Sequence, residues 1–98
     1  MHARVSKLEG PPEQVDELGR IVAEWVAPSL TQMDGFRGLL ALADRESGKV
    51  EVVSLWESEE ALRASEEAAD QLRGETARAA GGAIAGVERY EGVLLYTL

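Results

Sequence analysis

One histidine, two tryptophans, two tyrosines and no cysteine leave this 98-residue chain few side chains able to do chemistry. His2 is the only group whose ordinary pKa lies near neutrality, so it is the candidate general base, although a terminal residue is often frayed. Arg37, between Phe36 and Gly38, could orient an anionic or phenolic oxygen, with Phe36 beside the same ligand; an outward-facing strand arginine needs no such role. Tyr90 and Tyr96 fall six apart on one strand face, where either could hydrogen-bond a ligand or pack across strands. Trp56 ends a β-branched run two residues before a helix start, where it anchors a sheet or walls a pocket. Trp25 lies on the edge of a helical apolar stripe, as a core residue or a further ligand contact. No metal-ligand spacing exists, because one histidine, no cysteine and surface acids make no site. Nucleophile triads and phosphate-cradling glycine loops are likewise missing.

The elements that must position these residues follow from side-chain period and punctuation. Ala3 to Leu8 reads as a first strand, closed by Gly10-Pro11-Pro12. Val15, Leu18, Val22, Trp25 and Val26 then mark one side of a helix that Pro28 is expected to end. Gly35 to Ala43 and Lys49 to Trp56 read as a hairpin around Asp44-Arg45-Glu46-Ser47-Gly48. Ser58 is a good N-cap for a second helix, and Glu59 and Glu60 complement its dipole. That helix is expected to bury Ala61, Leu62, Ser65, Ala68, Ala69 and Leu72, to break at Gly74 and to expose Glu59, Glu60, Glu66 and Glu67 to solvent. Val87 to Leu98 reads as a long last strand. The order β-α-β-β-α-β implies a single α+β domain over residues 1–98, an antiparallel four-stranded sheet with both helices on one face.

A net charge of −8 repels phosphate backbones, and no basic stripe is interleaved with aromatics, so nucleic acid is not an expected partner. No run approaches membrane-spanning length and the start has no apolar leader, so the cytoplasm is the expected location. Leu39-Leu40-Ala41-Leu42, Val52-Val53 and Val93-Leu94-Leu95-Tyr96 are apolar on both faces, whereas a sheet with one wet face should alternate. Two helices cover one face. A second copy of the chain is the simplest cover for the other, which makes a homodimer the expected assembly.

Met33-Asp34-Gly35-Phe36-Arg37-Gly38 and Leu55-Trp56-Glu57-Ser58-Glu59-Glu60-Ala61-Leu62 resemble the antibiotic biosynthesis monooxygenase-like family of the dimeric α+β barrel superfamily. The resemblance implies a ferredoxin-like protomer that pairs sheet to sheet as a barrel. It also implies a ligand pocket lined by Trp56 and a small aromatic, phenolic or quinol substrate oxygenated without metal or flavin. The haem-degrading branch uses an asparagine, a tryptophan and a helix histidine. This chain matches only the tryptophan, so neither haem nor any other cofactor is expected. A non-catalytic small-molecule-binding or stress-associated dimer on the same scaffold is the alternative, and an amino-acid-binding regulatory domain shares the same element order.

Overall fold

Alternation along Lys49–Trp56 puts Val50, Val52, Ser54 and Trp56 on one face, and all four are buried. In the computed structural model, which describes residues 1–94, this strand (β3) pairs with β1 (His2–Glu9) and with β2 (Phe36–Asp44). β1 in turn pairs with β4 (Ala83–Tyr90), giving an antiparallel sheet in the order β2-β3-β1-β4. This is the expected ferredoxin-like arrangement. Leu8, Val50 and Val52 pack on the helix side against Val15, Leu18, Ile21, Val22 and the late helical Ala77 and Ala80. The other face is bare: Leu40 and Leu42 are 56% and 52% exposed, and Leu40 stands opposite Val53.

Pro28 does not end the first helical segment. α1 (Val15–Ile21) runs into a π turn (Val22–Val26) and then into α2 (Ala27–Thr31), which contains the proline. Proline costs a helix an N–H and a steric clash one turn back. The π turn meets both demands by widening the preceding ladder, and the Ala27 N–H reaches back to the Val22 carbonyl. The same turn rotates Trp25 outward, to 39% exposure, so it does not join the core expected of it.

The second helix breaks at Ser65, not at Gly74, dividing into α3 (Glu59–Ala64) and α4 (Glu66–Ala79). At the break the Leu62 carbonyl accepts from the Arg4 guanidinium at 3.0 Å and from the Ser65 hydroxyl at 2.7 Å. A charged group from β1 therefore sets the joint. Ala68, expected on the buried stripe, is exposed, while Arg73 and Thr76 are buried instead. The N-cap at Ser58 is as expected, its hydroxyl accepting the Ala61 N–H at 3.1 Å. Gly35, at φ +79°, seats the start of β2 on α3, where any Cβ would lie 2.5 Å from the Ala61 Cβ.

β4 begins at Ala83 and ends at Tyr90, earlier at both limits than the expected Val87 to Leu98. Its register explains the shift, because Leu8 and Glu9 need Ile84 and Ala83 as partners. Val93 and Leu94 lie exposed beyond the strand, and Leu95 and Tyr96 are outside the described residues.

Candidate functional site

Period-two alternation carries Arg4, Ser6 and Leu8 to the helix side of β1, and Val52 and Ser54 to the same side of β3. Above this floor a slot opens between Val22, Val26 and Leu30 on one wall and Ala69, Leu72, Arg73 and Thr76 on the other. Its enclosed part measures about 40 Å³. That is room for a small polar group and well short of the ~150 Å³ that an apolar cavity needs to take a benzene ring. A ring must therefore lie in the open half of the slot.

Two buried arginines dominate the slot. Arg4 is 2% exposed, and its Nη2 serves the Leu62 carbonyl, the Ser65 hydroxyl at 2.7 Å and the Glu66 carboxylate at 3.1 Å. Arg73, 7% exposed, reaches the Ser6 hydroxyl through Nη1 at 3.1 Å and Asp70 through Nη2 at 3.2 Å. In both side chains the Nε–H is buried without a partner. Burial pulls the Arg4 pKa below its ordinary value; Glu66 opposes that pull, and Arg73 and Arg89 add to it.

Glu66 is not the solvated helix residue expected. It lies between Arg4 and Arg89, the latter bidentate at 2.7 Å on each oxygen. Arg89 first and Arg4 second hold its carboxyl down to about 2, against the opposing pull of burial.

Trp56 is fully buried and stands one layer behind the slot. Its indole N–H donates to the Ser54 hydroxyl at 2.9 Å, Phe36 meets its ring edge-on at 5.4 Å, and the Arg4 guanidinium sits over the ring at 5.5 Å. It thus positions Arg4 and Ser54, which line the slot, and is not itself among the lining residues. Phe36 is half-buried on Trp56, also behind the wall. Arg37 is exposed and paired with Glu57 at 2.9 Å, away from the slot. Trp25 faces outward.

His2 and Tyr90 do come together, in a broader groove at the open end of β1 and β4 that Glu59, Arg63 and Arg89 also line. His2 Nδ1 is buried there without a partner. The site residues that sequence reasoning missed are Arg4 and Arg73. Their signal was parity: Arg4 shares a strand face with core residue Leu8, and Arg73 lies four positions after Ala69 on the buried side of α4.

No group of three or more metal-ligating side chains occurs among the described residues. Haem does not fit the slot either, since its lining holds no histidine and its enclosed volume is a small fraction of a porphyrin. No helix among the described residues is long and apolar enough to cross a membrane.

The profile of the antibiotic biosynthesis monooxygenase family matches residues 1–77. An uncharacterised Mycobacterium tuberculosis protein is 36% identical over 96 residues, covering 98% of this chain, which spans only 40% of that relative's length. A Deinococcus radiodurans structure provisionally described as an antibiotic biosynthesis monooxygenase superposes with a TM-score of 0.75 at 15% identity, covering 100% of this chain and 98% of that one. A cofactor-independent oxygenase from Streptomyces nogalater gives a TM-score of 0.62 at 16% identity, covering 99% and 95% of the two chains. At these identities the structural likenesses speak for the fold alone.

Proposed function

Since the chain belongs to the antibiotic biosynthesis monooxygenase family, we propose that it is a cytoplasmic, cofactor-independent oxygenase of a small phenol or quinol. The observation that carries this reading is the slot, an aliphatic-walled opening between helices and sheet with polar groups at its floor. A phenol would lie with its ring between Val26, Leu30 and Leu72 and its oxygen toward the floor. There the positive field of the buried arginines favours the anion, and the aliphatic walls keep water from the ring. The electron-rich anion then reduces dioxygen itself. For a methylene flanked by two rings, both C–H bonds give way to one C=O. The second oxygen atom leaves as water, and the carbon supplies all four electrons, so no external reductant is needed.

His2 carries no role in this proposal, because it lines the neighbouring groove and not the slot. Trp56 acts as a positioning residue behind Arg4. The bare sheet face, with Leu40 and Leu42 exposed, supports a homodimer as the working form.

The test is oxygen uptake with a panel of hydroquinones and anthrone-like phenols, in chelator and without flavin. Saturable uptake above spontaneous autoxidation is expected. Uptake no faster than in buffer across the panel would leave the second reading, a non-catalytic binding dimer, which the slot's enclosed volume of about 40 Å³ favours.

A further inference from the structure

We propose that Arg4 and Arg73 form an oxyanion clamp at the floor of the slot, built to hold the carboxylate or phenolate head of a small organic anion with an apolar body. The inference rests on the slot's being the ligand site, as proposed above, and adds the charge and shape of what it takes.

Three observations converge. Both guanidiniums are more than nine-tenths buried, and both line one opening whose enclosed part has the size of a single polar group. Arg4 meets its protein partners through Nη2 and Arg73 through Nη1 and Nη2, and each leaves its Nε–H without one. A buried donor without a partner is costly, and two of them on charged groups in one small space call for an acceptor that the chain does not supply. The charges agree: the carboxylate paired with buried Arg73 is Asp70, which is mostly in water, so the interior guanidinium is only weakly compensated.

The walls give the rest of the ligand. Val22, Val26, Leu30, Ala69 and Leu72 make up most of the walls, and the one hydroxyl there, that of Thr76, is spent on the Leu72 carbonyl, so the guest's body is apolar. Bicarbonate or phosphate would satisfy the donors but leave these walls wet.

The experiment uses the full chain in a Trp25→Phe background, which leaves Trp56, over the Arg4 guanidinium, as the one indole reporter. Benzoate, benzamide, inorganic phosphate and, at pH 8.5, 4-nitrophenol are titrated while thermal stability is followed for all four. Trp56 emission is read for the first three, and the absorbance of nitrophenolate for the last. Benzoate or nitrophenolate should bind saturably and at least about tenfold more tightly than benzamide, the advantage of a charge-assisted hydrogen bond. Phosphate should have no comparable effect. Arg73→Met should stay folded and lose the preference, whereas Arg4→Met also undoes the joint between α3 and α4. Equal binding of benzoate and benzamide would overturn the clamp while leaving the slot as an aromatic site. Equal effects of benzoate and phosphate would also overturn it, as would an Arg73→Met variant that keeps the preference. Oxygen uptake by the same protein, measured separately, shows whether the oxygenase reading stands or falls with it.

Discussion

The two faces of this sheet invert the usual association of burial with apolarity. The helix-covered face carries Arg4, Ser6 and Ser54 among its aliphatics, with Arg73 and Thr76 descending on them from α4. The bare face carries Leu40, Leu42, Val53 and Leu55, relieved by the Lys7–Glu88 pair at 2.7 Å. Polar groups are kept inside where they can meet a guest, and apolar ones are left outside where only another macromolecule can cover them. On the function and assembly proposed above, chemistry and pairing would fall on opposite sides of one layer.

The largest expected effect breaks the inner face at its anchor. Trp56→Ala removes the ring on which Phe36 and Arg4 rest and should cost about 4 kcal/mol of unfolding free energy. Trp56→Phe, which loses only the hydrogen bond to Ser54 and part of the ring, should cost about 1 kcal/mol. Chemical denaturation of both variants measures the difference, and equal losses would mean that the indole N–H matters more than the ring.

On the outer face, Leu42→Glu should leave the protomer folded but weaken the dimer about a hundredfold, because the interface would then bury an unpaired charge. Sedimentation of the unaltered protein at micromolar concentration should give a species of twice 10.6 kDa. A folded monomer there would remove the assembly half of the comparison.

Glu66 sharpens the inner face through pH. Its carboxyl titrates near 2 in the folded chain, below its unfolded value. Its stabilisation is therefore present in full above the unfolded pKa and is lost as pH falls from about 4.3 toward 2. Glu66→Gln should lower stability at pH 7 by about 2 kcal/mol, with the two proteins converging by pH 2. Parallel stability curves would show that Arg4 and Arg89 do not depend on this carboxylate. An effect as small as that of Trp56→Phe belongs to Ser58→Ala, about 1 kcal/mol in chemical denaturation from the lost cap at the start of α3.

What the sequence disclosed about these faces follows the range over which each signal acts. Ser58, Glu59 and Glu60 announce a helix start through contacts within one turn, and the structure places it there. The hairpin of β2 and β3 was legible for the same reason, its strands and turn being local pattern. The break at Ser65 was not, because its cause is a guanidinium 61 residues away along the chain. The last strand was displaced in the reading by the apolar run Val93-Leu94-Leu95-Tyr96, whereas its position depends on register with β1. Among the candidate site residues, Trp56 and Phe36 drew attention as aromatics, and the structure sets both behind the slot's wall. An arginine two positions into a short strand drew none, although parity with Leu8 already put it inside.

The π turn has a consequence for how the slot is kept straight. Four residues of an ideal α-helix overshoot a full turn by about 40°, so side chains at successive spacings of four spiral away from a fixed line. Val22, Val26 and Leu30 are spaced in this way, yet all three line the slot. The wider turn between Val22 and Val26 absorbs the overshoot, working as a phase corrector between two ordinary helical stretches. Excising one residue from it would restore regular hydrogen bonding and put Leu30 seven positions after Val22, about 20° short of two full turns, so the wider turn is what lets the chain carry an extra residue there while Leu30 keeps its place on the wall.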